Sequence, residues 1–345
     1  MNPRQTKEHI MRGSFRKAGR RAPSWRGLLA AAATLVLAAW VLPAQAADAY
    51  PSRPIRLLVG YAAGGPTDIA ARRLGSLLSG QLGQPVVVEN KPGVSGMIAM
   101  NQLAKAPADG YTVALATTPV MAISPVLNTD QAFDPIDDFT PVARFVEYGL
   151  VLLVPRDSPF TSLDALISHA RAHPGALSYS SSGVGGTAHV SAELFAQRSG
   201  AQFLHVPYKG SAPALADLMA GVVDFTFEVA STAEPAVKSG KLRALAVTSL
   251  HRNPAFEGVP TLAESNMPGL EVTGWFGIFA PRNLPAAVRD RLADAIDNAV
   301  RQPDFQQYAS TGGISAAYEA PAPFSDRLAK DVAFWKDILD KAGIQ

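Results

Sequence analysis

Gly60 and Gly65 enclose four residues and are followed at once by Pro66, Thr67 and Asp68, where an apolar, β-rich run (55–62) gives way to a helical pattern (67–82). A strand that turns through glycines into a helix start aims unpaired backbone N–H groups, and the positive end of the helix dipole, at one spot. That is a ready site for a small anion. The spacing nearly matches a nucleotide loop, but Pro66-Thr67 stands where such a loop carries Lys-Thr. Without the lysine there is no fixed cation for a triphosphate, and a smaller anion such as a carboxylate suits the turn better. Tyr61, Ala63, Gly64, Gly65, Thr67 and Asp68 are the candidates in this loop. Asp68 is equally explained as an acid favoured by the dipole in a first helical turn.

A second turn of this type joins the strand pattern 177–181 to a helix opening near Thr187, through Ser181, Ser182, Gly183, Val184, Gly185 and Gly186. Gly183-x-Gly185-x-x-Ala188 partly matches a dinucleotide fingerprint, yet the acid that should bind the ribose is missing from 203–208. Ser181, Ser182 and His189 suggest a hydrolase as a rival reading. No Gly-x-Ser-x-Gly elbow is present, however, and a histidine one turn into a helix is ordinarily a hydrogen-bonded, partly buried one. The histidines lack metal-ligand spacing, so neither a metal nor another cofactor is expected. Thr117 and Thr118 end a third strand, and Tyr208 lies in the turn after a fourth. Parallel sheets place ligands outside the carboxyl ends of their strands, so the turns at 61–68, 117–118, 180–187 and 207–211 are expected to line one cleft. Glu228, after a strand, either faces that cleft or is a solvated loop acid.

These turns need a scaffold, and the chain supplies one by alternating patterns. Strands are expected at 55–62, 85–89, 111–117, 141–155, 177–181, 202–207, 222–229 and 242–248, with helices at 67–82, 162–172, 187–199, 212–220 and 232–239 between them. Such alternation predicts an α/β fold with mainly parallel sheets and flanking helices. Two amphipathic helices close the chain, marked by Val288, Leu292, Ile296 and Val300, and by Leu328, Val332, Trp335 and Leu339. The strand-like segments 140–155 and 272–281 are unusually long, each ending in a proline, and read as paired hinge segments between lobes. One lobe is expected from 48–147 plus 274–345, the other from 148–273.

Residues 1–46 are set apart by eight basic side chains, an apolar run over 28–41, and Pro43-Ala44-Gln45-Ala46. This is the layout of a secretory signal cleaved near Ala46. Met11 is an alternative start, and Arg20-Arg21 only partly matches a twin-arginine signal. Without this segment the formal charge changes from +2 to about −5, which excludes a basic nucleic-acid binder. The chain has no cysteine, so an exported form has no disulfide scaffold and depends on its cores.

Over 50–345 the chain resembles the Bug family of extracytoplasmic solute receptors, the binding subunits of tripartite tricarboxylate transporters. The resemblance rests on an ordered series: Tyr50-Pro51 with Arg53-Pro54-Ile55, Gly64-Gly65-x-Thr67-Asp68-x3-Arg72, Val88-Glu89-Asn90-Lys91-Pro92-Gly93, and Asp109-Gly110-Tyr111-Thr112. Asp138-Phe139-Thr140-Pro141-Val142, Val206-Pro207-Tyr208-Lys209-Gly210 and Val259-Pro260-Thr261-Leu262-x-Glu264 continue it. It implies a non-enzymatic, two-lobed periplasmic binding protein of type II-like fold that closes on a small mono-, di- or tricarboxylate. Its partners would be membrane transport subunits, or a signalling protein if it senses without transport, and it would act as a monomer. The family's ligand loops fall on 61–68 and 180–189 here. Two departures are Ala63 in place of a proline, and Glu228-Val229 in place of an acid-asparagine pair, which removes a hydrogen bond from the far end of the ligand.

Overall fold

A computed structural model describes residues 50–127 and 132–342; the signal expected over 1–46 lies outside the described residues. The strands are β1 (Ile55–Val59), β2 (Val86–Asn90), β3 (Thr112–Thr117), β4 (Phe139–Pro155), β5 (Leu177–Ser181), β6 (Phe203–Pro207), β7 (Phe225–Val229), β8 (Leu242–Val247), β9 (Thr273–Pro281) and β10 (Ser315–Glu319). The helices are α1 (Pro66–Leu82), α2 (Met97–Ala104), α3 (Ser124–Leu127), α4 (Leu163–Ala172), α5 (Thr187–Ser199), α6 (Ser211–Met219), α7 (Ala230–Lys238), α8 (Ala286–Val300), α9 (Pro303–Thr311) and α10 (Pro321–Ala342). Strands and helices alternate as the pattern requires.

Helix α1 shows why the local sequence folds this way. Pro66 opens it, where the missing N–H costs nothing, and Gly83 ends it in the left-handed region with its N–H on Ser79 O. Ala70, Ala71, Leu74, Leu78 and Leu82 fall on one buried face. In α4, Ser162 caps the start by accepting from Ala165 N–H.

The sheet order is β2-β1-β3-β9-β4-β7-β5-β6, with β8 and β10 also on β4. β1 pairs in parallel with β2 and β3, and β5 with β6 and β7. The 17-residue β4 joins the two parallel sets. Its first part, Phe139 to Gly149, runs antiparallel to β9, and from Leu150 onward it pairs with β7 and β8 instead. Shifts of register at 141–143 and 144–146 twist this strand as it passes. The expected long segments are thus one strand belonging to both halves and a neighbour, β9, that lies beside its first half.

The changeover on β4 is pinned by Thr248. Its buried hydroxyl accepts from Leu150 N–H at 2.9 Å and donates to Val272 O at 2.6 Å, where the chain leaves β8 and heads for β9. Elements that carry no strong sequence pattern are α2, with no side-chain cap, the π-helical turn Pro119–Ile123 running into α3, and the small-residue strand β10.

Replacing Thr248 by the isosteric valine leaves a buried N–H and a buried carbonyl unpaired. Thr248→Val is expected to lower stability by about 2 kcal/mol, read as a lower urea midpoint at unchanged slope.

Candidate functional site

The carboxyl ends of β1, β3, β5 and β7 meet at one cavity, which encloses about 360 Å³ of empty volume, mouth included. Six of the expected residues line it: Tyr61, Gly65, Thr67, Thr117, Ser182 and Thr187. Ser211, from the expected turn at 207–211, and Val229 join them, and Pro66, Pro119, Tyr148 and Phe276 complete the wall.

Four helices begin at this cavity. The residues that cap α1, α5, α6 and α7 are Gly65, Gly186, Gly210 and Val229, and none makes a side-chain capping bond. Ordinarily a serine, threonine or aspartate at that position accepts one of the first free N–H groups. Here the caps carry no polar side chain, so first-turn donors of all four helices remain available. Among the described residues, no lysine, arginine, aspartate or glutamate lines the cavity. Its polarity therefore comes from amides, from hydroxyls and from helix N-termini carrying roughly half a positive charge each.

Of the remaining expected residues, Asp68, Ser181, His189 and Glu228 stand behind the wall and hold it in shape, whereas Thr118 and Tyr208 are engaged elsewhere. Asp68 accepts from Gly64 N–H (2.9 Å), Arg72 Nε (3.0 Å) and Asn90 Nδ2 (2.9 Å). Burial pushes its carboxyl up, but the bonds from Arg72, Gly64 and Asn90 and the Arg72 charge outweigh this and hold it below the usual range. It braces the loop containing Ala63 and Gly64 and does not line the cavity. Gly60 contributes through close approach: a Cβ there would overlap the backbone of Gly96, so the first glycine of the motif serves packing against the 93–96 turn. Tyr61 Oη donates to Ser95 O at 2.8 Å and lies 3.1 Å from Thr117 Oγ1; burial, opposed by the Thr117 bond, pushes it up to about 12. Thr118 accepts from Trp275 N–H at 2.9 Å and so clamps β9, away from the cavity. Tyr208 is turned outward, donating to Asp217 at 2.6 Å.

Ser181 and His189 do not form a nucleophile and base. The Ser181 hydroxyl is buried between His205 Nε2 (2.7 Å), Gly183 O and Gly183 N–H. His189 Nδ1 accepts from Gly185 N–H at 3.1 Å, and its ring stacks on His205 at 4.2 Å, with Tyr179 stacked on the far side at 4.7 Å. Burial lowers both histidines, His205 to about 4 with help from His189, so both are neutral near pH 7 and add no cation. These contacts shape the turn that carries Ser182, Gly183 and Thr187. The turn meets the opposite lip directly: Ser95 Oγ donates to Val184 O.

Glu228 is buried one residue before the α7 cap, and its partners are neutral: Thr232 Oγ1 (2.7 Å), Val229 N–H (2.9 Å) and the Ser211 hydroxyl, with the Tyr148 phenol nearby. Burial pushes its carboxyl up to about 7, against the hydrogen bonds from Thr232, Val229 and Ser211. It is neither a cavity wall nor a solvated loop acid. The aromatic walls Tyr148 and Phe276 escape sequence reading because they lie mid-strand, with no turn to mark them.

A sequence model described as "Tripartite tricarboxylate transporter family receptor" matches residues 70–344. The fold is similar to that of the periplasmic binding protein BugD, with TM-score 0.83 and 32% identity over 86% of this chain and 99% of that one. MatC from Rhodopseudomonas palustris, solved with bound malate, superposes with TM-score 0.81 at 30% identity, covering 84% of this chain and 100% of its own. An R. palustris protein solved with adipate gives TM-score 0.83 at 35% identity, covering 85% and 98%. The chain belongs to the tripartite tricarboxylate transporter receptor family, as a Bug-type solute-binding receptor with the two-lobed α/β fold of periplasmic binding proteins.

Proposed function

We propose that the protein works in the periplasm, after removal of residues 1–46, as a monomeric receptor that closes on a small organic carboxylate and delivers it to membrane transport subunits. The observation that carries this reading is the meeting of four uncapped helix starts at a cavity that no charged side chain among the described residues lines. Relatives solved with malate and adipate support the class of ligand. The moving bodies are 48–147 plus 274–345 and 148–273, and the change of partners on β4 at Gly149 and Leu150 supports a hinge there.

Thermal-shift screening against a panel of carboxylic acids tests the reading. A bound acid raises the melting temperature with concentration, by the equivalent of about 2.7 kcal/mol at a hundredfold excess over Kd. Absence of any stabilising acid, or ester hydrolysis that His189→Ala abolishes, would reject it. Native mass spectrometry of gently purified protein looks for a co-purified acid directly.

A Cβ on Gly65 would sit 3.6 Å from Ala62 O and 3.8 Å from the Ser211 Cβ, ordinary contact distances. Gly65→Ala is therefore expected to bind, whereas the extra methyls of Gly65→Val press on Ser211 and the cavity. Titration calorimetry with the best acid of the panel should show at least about a tenfold loss, ~1.4 kcal/mol, for valine.

Glu228 adds a pH dependence of known sign. A bound anion near it favours its protonated form, so binding takes up a proton and affinity falls as pH rises through about 7. Calorimetry between pH 6 and 8 (a window of roughly one unit each side) should show this slope in the parent protein and a flat profile in Glu228→Gln.

A further inference from the structure

Adjoining the ligand cavity at Tyr148 lies a second, open one, with about 830 Å³ of empty volume, open solvent included, bounded by β4 at Glu147 to Gly149, the start of β9 and the loops around 249–254 and 310–315. Among the described residues, Tyr148 alone lines both cavities. Its ring is buried and crosses β9 at its register partner Gly274, where any Cβ would overlap the phenol. On one side it packs against Phe276, with centroids 4.8 Å apart, and its hydroxyl bonds the Thr187 side chain at the start of α5. Strand, glycine, phenylalanine and threonine together hold the ring in one place.

We propose that Tyr148 sets the upper length of the acid this receptor accepts, because its ring is the partition between the ligand cavity and the second cavity. The inference rests on the carboxylate capture proposed above and adds a size class to it. A short acid fits in front of the ring. A longer one has to pass where the ring stands. The space behind it sets Arg252, which is held on Glu264, together with Asn253 and three serines beside Glu147 and Ile314, and its hydroxyl and amide groups suit the distal carboxylate of a long dicarboxylate better than the methyl end of a fatty acid.

The test is a series of straight-chain dicarboxylates, from malonate through succinate and adipate to azelate, with octanoate as the apolar comparison. Thermal shift and calorimetry are read on the parent protein and on Tyr148→Ala, Tyr148→Leu and Tyr148→Phe. The parent and Tyr148→Phe, which keeps the partition, are expected to prefer short members and to reject azelate. Tyr148→Ala is expected to gain at least about tenfold in azelate affinity, the scale of a methylene-sized change in a pocket, without gaining octanoate. Should the alanine variant not fold, Tyr148→Leu retains apolar packing on Phe276 and reports the same change. An unchanged preference in a folded Tyr148→Ala or Tyr148→Leu, or strong azelate binding by the parent, overturns the inference. If no acid of any length binds the parent, it is the capture of carboxylates itself that fails.

Discussion

Helix starts that lack side-chain caps, gathered at one point by the carboxyl ends of parallel strands, are the constraint on which the rest of this structure depends. Parallel strands need crossovers, and each crossover begins a helix at the same end of the sheet. Two parallel sets joined through β4 turn those ends toward one another. Four sets of unsatisfied donors then share one cavity. A single helix start stabilises an anion by about 0.3–1 kcal/mol at a surface, and up to ~2 kcal/mol when partly buried. Several acting together in a place shielded from salt outweigh an exposed ion pair, which contributes about 0–1 kcal/mol. Cationic side chains are then unnecessary, and none among the described residues lines the cavity.

Keeping those donors free shapes the surrounding residues. Glycine or valine at the cap positions offers no oxygen that would compete with a ligand. Asp68, which sits where it could compete, is held by Gly64, Arg72 and Asn90. Ser181 and the stacked His189 and His205 do the same service for the opposite turn. The polar residues with most chemical potential are thus positioning groups. The hydroxyls that line the cavity are instead the plain ones of Thr67, Thr117, Ser182, Thr187 and Ser211, with the phenols of Tyr61 and Tyr148. The two lips of the cavity are bonded directly to each other by Ser95 and Val184.

Much of this was legible in the chain. Periodicity placed all eight expected strands and the helices that start at the site, because Gly-Gly turns, Pro66 and alternating apolar runs are strong local signals. The direction of side chains was not. Thr117 ends β3 and lines the cavity, whereas Thr118 is already helical at the start of the π-helical turn and is sent to Trp275. Tyr208 reads as a cleft residue until Asp217, one helix further on, claims its hydroxyl. Tyr148 and Phe276 gave no signal because their role follows from which strands become neighbours, a long-range property. Strands β10 and helix α2 were missed for a different reason: small residues and an absent cap leave little local preference to read.

A crystal structure of the protein loaded with malate or adipate measures the central interaction most directly. The expected result is a carboxylate whose oxygens lie within hydrogen-bond distance of first-turn N–H groups of α1 and of at least one of α5, α6 and α7, with no lysine or arginine in contact. An acid gripped chiefly by a guanidinium or ammonium group, or seated outside this cavity, would contradict it.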